Sequence, residues 1–261
     1  MGATGVTRRV RDTDRDWEKI AKECPYWGVL SADEFKGSNL SEPARRKFFA
    51  SGEAYVSNLL GFVERHFGLV PLEKLLDFGC GVGRLVIPFA AHARKVVGVD
   101  AAPTMLERCH DNIQMLRINN VSLILGDDDL TNVTGPFDFI NSTIVLQHIP
   151  PTRGLHLLEK LLTLLSPGGI FAVQMTYGRA RRFLEHERPR ARFYRRSGSA
   201  LIDLLESEHQ PAEGTITMYD YDLNEIMALF SQHAGSPLMV LPTCDDDHLG
   251  AQFIGRRALS T

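Results

Sequence analysis

The apolar positions of this chain change period near residue 73. Before it they recur at helical spacing, most clearly as Tyr55, Val56, Leu59, Leu60, Val63 and Phe67 on a helix that starts near Ser41 with Pro43 in its first turn. A shorter helical stretch covers residues 17–23 and stops at Pro25, and residues 25–43 read as turns. After residue 73, short apolar runs alternate with helical stretches. The runs at 74–78, 95–100, 121–126, 137–142 and 170–175 predict strands, and residues 85–93, 103–116 and 152–165 predict helices. Regularity lapses over 176–220. It resumes with Asp222-Leu223-Asn224-Glu225, a capping box opening a helix to about residue 234, and with strand patterns at 237–243 and 250–257.

Strands that are apolar throughout and separated by helices form a parallel sheet with helices on both faces. The last two strands are joined only by a polar turn holding Asp245, Asp246 and Asp247, so they pair antiparallel, because a parallel return needs a crossover. The chain therefore divides into an N-terminal helical cap, residues 1–70, and an α/β domain, residues 71–261, with an Arg-rich insertion at 176–220 after the fifth strand. Composition permits this, since 261 residues with 44% hydrophobic and 23% charged positions can bury a full core. A formal charge of −3 argues against a globally basic nucleic-acid binder. Cys24, Cys80, Cys109 and Cys244 are scattered without a C-x-x-C pair, which offers neither a metal pattern nor a disulfide framework. Residues 1–16 lack the apolar core of a signal peptide, and no apolar run approaches the roughly 18 residues of a membrane span. The expectation is a cytoplasmic protein with no membrane partner.

Candidate chemistry concentrates in Leu75-Leu76-Asp77-Phe78-Gly79-Cys80-Gly81-Val82-Gly83-Arg84, where a buried strand enters a glycine loop and a helix leaves it. Glycines let a ligand lie against bare backbone, and the helix start offers free N–H groups. A dinucleotide fingerprint, G-x-G-x-x-G, wants its third glycine at position 84, which is Arg84 here. One strand–helix–strand step later, Val96-Val97-Gly98-Val99-Asp100 puts an acid at a strand's C-terminal end, placed to accept both hydroxyls of a ribose. The third strand ends in Gly126-Asp127-Asp128-Asp129-Leu130. Read together, these segments resemble the class I S-adenosylmethionine-dependent methyltransferases. Residues 137–142, Val145-Leu146-Gln147-His148-Ile149-Pro150 and Leu165-Ser166-Pro167-Gly168-Gly169-Ile170 are similar to the family's fourth strand, the segment after it and the turn before its fifth strand. The resemblance spans 73–175. It implies an α/β, Rossmann-like, mostly parallel seven-stranded sheet ending in an antiparallel hairpin, with S-adenosylmethionine as cofactor.

The resemblance also implies roles. The backbone at Gly79, Cys80, Gly81 and Gly83 would face the methionine part of the cofactor, and Asp77 would orient its amino group. Asp100 would hold the ribose and Ala101 would flank the adenine. Asp127 or Asp128 would contact the adenine amino group, with Leu130 against the ring and the Ser142 backbone near the amino-acid end. His148, just past the fourth strand, is the candidate catalytic residue, either as a general base or as a loop-bonded histidine that shapes the pocket. Gln147, Tyr26 and Trp27 are candidate substrate contacts, packing of the N-terminal helices being the rival account of the aromatics. Arg179 and Arg182 belong to eight arginines within 179–196, which suit a phosphate or carboxylate unless they form a solvated helical face. Asn141-Ser142-Thr143 lacks the N-P-P-[YF] motif of nucleobase amino methylation, and no Pro-Cys pair stands there for cytosine C5 chemistry. Methyl transfer to a small-molecule acceptor, anionic if the arginines touch it, is the leading reading. Methylation of RNA or protein, a non-catalytic cofactor-binding module and a dinucleotide oxidoreductase are the alternatives.

Overall fold

The computed structural model describes residues 13–179, 192–197, 200–205, 214, 216–245 and 248–259. Three helices open it: α1 (Thr13–Glu23), α2 (Pro25–Val29) and α3 (Glu42–Phe67), the last capped by Ser41, whose hydroxyl accepts from the Ala44 amide. Strands and helices then alternate as β1 (Lys74–Phe78), α4 (Val86–Phe89), β2 (Lys95–Asp100), α5 (Pro103–Met115) and β3 (Val121–Leu125). After them come β4 (Phe137–Ser142), α6 (Pro151–Thr163) and β5 (Leu165–Arg179). A separate hairpin of β6 (Arg192–Ser197) and β7 (Ala200–Leu205) precedes α7 (Leu223–His233), β8 (Ala234–Asp245) and β9 (His248–Arg257).

The main sheet has seven strands in the order β3-β2-β1-β4-β5-β9-β8. Strands β1 to β5 run parallel, whereas β9 is antiparallel to both β5 and β8. The chain works outward from β1 to β3 and then returns to the centre at β4. Strand order therefore reverses between β1 and β4, and the connections leaving those two strands part toward opposite faces. A crevice opens at their C-terminal ends, the usual place for a ligand in an open α/β sheet.

Helices cover both faces. On one, Leu158, Leu161 and Leu162 of α6 and Phe230 of α7 pack on Phe171, Val173 and Phe253, with the Phe171 and Phe230 rings stacked at 4.9 Å. On the other, Val56, Leu59 and Val63 of α3 join Phe89 and Ile113 against Leu75, Val96 and Phe139. A smaller core beside the N-terminal helices holds Tyr26, Phe35, Phe48, Val82 and Met105.

Several elements differ from their sequence patterns for local reasons. The helix expected over 85–93 is α-helical only over Val86–Phe89. Pro88 has no N–H to give the Arg84 carbonyl, and beyond it the Ala91 and His92 amides reach back only three residues, to the Pro88 and Phe89 carbonyls. Helix α3 fills the space this leaves: a Cβ at Gly52 would stand 2.0 Å from the Arg84 carbonyl oxygen. Residues 25–43, expected as turns, contain α2 and a 3-10 turn at Asp33–Phe35. Strand β5 continues to Arg179 because β9 pairs along it as far as His248, so residues 176–179 of the expected insertion are strand.

The two glycines of α3 should respond in opposite directions. Gly52→Ala pushes a methyl into the Arg84 carbonyl and should cost about 1–3 kcal/mol, as overpacking does. Gly61→Ala meets nothing within 4 Å and should gain about 0.5–1 kcal/mol from helix propensity. Thermal unfolding of the two variants, moving down and up respectively, checks the packing of α3.

Candidate functional site

The crevice is a cleft of about 960 Å³, counted out to its mouth. Its floor is the loop after β1. The Gly79 and Cys80 amides donate to the Val99 carbonyl at 2.7 and 3.0 Å, and the Gly81 amide donates to Asp100 Oδ2 at 2.8 Å. Gly79 has φ +75°, and a Cβ there would stand 2.2 Å from Val145 Cγ2, so this position tolerates no side chain. The other Asp100 oxygen, Oδ1, accepts the Ala102 amide at 2.9 Å. Burial pushes the Asp100 carboxyl above its ordinary value in spite of these backbone donors.

At the β1–β4 end, Asp77 accepts a 2.7 Å bond from Asn141 Nδ2. Burial pushes this carboxyl up to about 7, with the Asn141 bond and the Arg84 charge opposing the shift. Arg84 follows the loop directly and is only 6% exposed, with its guanidinium 5.8 Å from the centre of the Tyr55 ring. Its Nε is fully buried without a partner, and among the described residues the side chain makes no hydrogen bond or ion pair. The Tyr55 hydroxyl lies 2.5 Å from Thr143 Oγ1. Asp77, Arg84 and Thr143 all line the cleft. So does Ile144, whose φ of +61° is strained for a β-branched residue.

Helix α1 forms the roof. Trp17 stands edge-on to the His148 ring at 5.1 Å. Glu18 accepts from the Thr104 amide at 3.1 Å and its hydroxyl at 2.7 Å, which places a carboxylate on the N-terminus of α5. Arg153, in the first turn of α6, donates to both oxygens of Asp14 at 2.8 and 2.7 Å and to Asp128 at 2.5 Å.

The residues singled out from sequence divide between cleft and surroundings. Asp77, Asp100, Ala101 and Asp127 line the cleft together with Gly79, Cys80 and Gly81. The Asp127 carboxylate also accepts the Thr131 hydroxyl and amide, which hold it below the usual range. Gly83, Asp128, Leu130 and Ser142 are not among the lining residues. Gly83 packs on Cys109 Sγ, Asp128 turns to Arg153, Leu130 joins the core, and Ser142 is buried within β4 just ahead of the lining residues Thr143 and Ile144.

His148 lines the cleft, with Nδ1 3.0 Å from the Thr217 carbonyl and Nε2 3.4 Å from Gln147 Nε2. The carbonyl requires the proton on Nδ1, leaving Nε2 to accept from the Gln147 amide. Burial pushes the imidazole down to about 4, so it is neutral at physiological pH. Neither Gln147 nor the two aromatics Tyr26 and Trp27 lines the cleft. Tyr26 donates to Asn112 Oδ1 at 3.3 Å and packs edge-on to Phe48, while its helix neighbours Gly28 and Val29 reach the cleft instead. Arg179 pairs with buried Asp220 at 3.2 Å, and Arg182 lies outside the described residues.

Sequence reasoning missed Trp17, Arg84 and Arg153 as parts of this site. Arg153 carried a signal: a cation in a helix's first turn opposes the macrodipole and calls for acids nearby. Among the described residues no helix is long and apolar enough to cross a membrane, and no group of three or more His, Cys, Asp or Glu could hold a metal ion.

Residues 75–169 match the family model described as a methyltransferase domain. A Synechocystis sp. protein named an uncharacterized methyltransferase is 29% identical over 109 residues, which are 41% of this chain and 49% of that one. Trans-aconitate 2-methyltransferase of Methylobacterium radiotolerans is 35% identical over 111 residues, 41% of this chain and 40% of that one. The chain thus spans about half the length, or less, of these curated relatives. Magnesium protoporphyrin IX methyltransferase from Synechocystis PCC 6803, solved with bound SAM, shares the fold at a TM-score of 0.61 and 16% identity, over 97% of this chain and 100% of that one. The matched segment contains the glycine loop and Asp100, so residues 75–169 are similar to a methyltransferase domain, and the fold is the one seen in S-adenosylmethionine-dependent methyltransferases.

Proposed function

We propose that this chain binds S-adenosylmethionine in the cleft and transfers its methyl group to a small-molecule acceptor in the cytoplasm. The carrying observation is the floor: bare loop backbone flanked by two acids, buried Asp77 at the β1–β4 end and half-buried Asp100 at the β2 end. The residues present fit the group. Gly79 lines the cleft with bare backbone, Asp100 would hold the ribose, Asp127 and Ala101 the adenine, and Asp77 the ammonium. When bound, S-adenosylmethionine supplies a methyl group on a sulfonium, which an acceptor displaces in line as a neutral sulfide leaves.

The chain's own part is then binding, alignment and exclusion of water. Trp17, Val29, Met105, Ile149 and Leu157 give the cleft apolar walls. We read His148 as shaping the pocket, because its Nδ1 proton is held by Thr217 and an imidazole near 4 has little affinity for a second proton. The fastened roof favours a small acceptor over a macromolecule, and relatives named for trans-aconitate and magnesium protoporphyrin IX support the same class. Four free cysteines fit a reducing compartment.

Calorimetry with S-adenosylhomocysteine tests the site. Asp100→Ala should weaken binding by about 1.5–3 kcal/mol, the range for hydrogen bonds to a charged group; unchanged affinity in a folded variant removes the ribose role. His148→Gln should keep kcat within about tenfold, whereas loss of a true general base costs about 10²–10⁴. A loss in that larger range restores His148 as the base.

Asp77 makes a pH-dependent prediction. Its folded-state value of about 7, against an ordinary 3.8, means the folded chain holds this proton more tightly than the unfolded one. Ionising it therefore removes stability as pH rises from 3.8 to about 7. Asp77→Asn should raise the ligand-free melting temperature at about pH 8 by at least about 2–4 °C, the gain shrinking toward about pH 5. The same variant should bind S-adenosylhomocysteine less tightly, since the ammonium loses its carboxylate. A variant that melts lower at both pH values would show that Asp77 is held ionised by its surroundings.

A further inference from the structure

We propose that Tyr221 is the positioning residue of the cleft wall: it holds the turn that carries His148 from behind and so fixes how that wall meets a bound ligand. For the identity of the ligand this role rests on the adenosyl reading of the cleft. The wall is the segment between β4 and α6, of which Ile144, Val145, His148 and Ile149 line the cleft. Its own bonding is sparse. Ile144 stands at φ +61°, and Leu146–His148 is a single 3-10 turn. Within it the His148 amide donates to the Val145 carbonyl and the Ile149 amide to the Leu146 carbonyl, both at 2.9 Å. The backbone groups left over at such a turn need partners elsewhere when they are buried.

Residues 217–221 supply them. The Tyr219 amide donates to the Gln147 carbonyl at 2.7 Å, and the Thr217 carbonyl accepts the His148 Nδ1 proton at 3.0 Å. The Tyr221 hydroxyl stands 2.7 Å from the Leu146 carbonyl oxygen and 2.8 Å from that of Ile149, so one proton is shared across the two ends of the turn. This strap is anchored to β5 in its turn. The Tyr221 amide donates to the Thr176 carbonyl at 2.8 Å, and the Thr176 hydroxyl donates to the Tyr219 carbonyl at 2.6 Å. Tyr219 and Tyr221 are both buried in the core and neither lines the cleft, so the strap reaches the wall from its far side.

Helix α6 has room for the hydroxyl because position 154 is glycine. A Cβ there would stand 1.8 Å from the Tyr221 oxygen. Glycine within a helix is destabilising relative to alanine, and the space it leaves is taken by the one side-chain donor that spans the turn. Core packing accounts for the Tyr221 ring, whereas the hydroxyl and its glycine notch are accounted for by the turn. The wall also meets the floor of the cleft, since a Cβ at Gly79 would run into the Val145 side chain. A shift of the turn therefore reaches the glycine loop as well as the ligand.

Tyr221→Phe removes the hydroxyl and keeps the ring, and Gly154→Ala crowds the same oxygen from α6, so the two variants disturb one contact by different routes. Nitrogen-15 NMR of the histidine rings reads the tautomer, with the His148 signal identified by its loss in His148→Gln. The wild type should show a single neutral tautomer protonated on Nδ1, and both variants should show a mixture. Calorimetry with S-adenosylhomocysteine should find both variants weaker by roughly 3- to 10-fold, because ordering that the hydroxyl supplied must then come from the ligand. A lowered melting temperature with tautomer and affinity unchanged would make Tyr221 a residue of the core only, and overturns the proposal. So does a change in either readout without the other, or a wild-type His148 signal that bound S-adenosylhomocysteine leaves unmoved. A wild type that binds no S-adenosylhomocysteine overturns the adenosyl reading, while the tautomer comparison, which needs no ligand, still decides whether Tyr221 fixes the wall.

Discussion

The loop after β1 hangs from the last two residues of β2. Three consecutive amides, those of Gly79, Cys80 and Gly81, are taken by the Val99 carbonyl and the Asp100 carboxylate. This arrangement bends the chain back over the strand ends and sets the floor of the cleft. It also gives Asp100 two tasks, because the carboxylate that fixes the loop lines the cleft as well. A ligand that engages Asp100 therefore meets an acid already oriented by two backbone donors, with little further ordering to be done.

The walls above that floor are held by unlike forces. Helix α3 is bound through apolar side chains, with Phe48, Val56, Leu59 and Val63 all buried. Helix α1 buries Ile20 and Ala21 and sets Trp17 against His148, and it is tied as well by polar links, from Asp14 to Arg153, from Asp16 to the Gly214 amide and from Glu18 to Thr104. One side of the cleft is thus walled by apolar contacts, and the roof is fastened mainly by hydrogen bonds and an ion pair.

The sheet was legible because each strand carries its own signal, an apolar run between helical stretches, and the antiparallel end follows from the short turn between the last two strands. The loop and Asp100 were legible for the same reason: backbone chemistry and a strand-end acid sit at fixed distances along the chain. What the sequence could not show depends on contacts between distant segments. Trp17 meets His148, and Arg153 meets Asp14 and Asp128, only because α1 folds across the sheet edge. The protonation of His148 is set by the Thr217 carbonyl, about seventy positions away, and by burial that no local pattern reports. Pro88 was visible in the sequence, and its missing donor accounts for the shortened α4, yet the apolar pattern around it still read as a full helix.

Position 84 joins the loop to the helix that covers it. In a dinucleotide loop the third glycine stands there so that helix and strand can pack closely. Here the close approach is made from the other partner. Pro88 leaves the Arg84 carbonyl without its helical donor, and Gly52 of α3, lacking a Cβ, can press against that oxygen. The small residue needed for close packing has moved from the loop to the covering helix. Position 84 is thereby free to carry a long side chain, and the chain places a guanidinium there, covered by Tyr55 and beside Asp77. The departure from the dinucleotide pattern is thus the source of a cation in the floor of the cleft, where a glycine could offer only backbone.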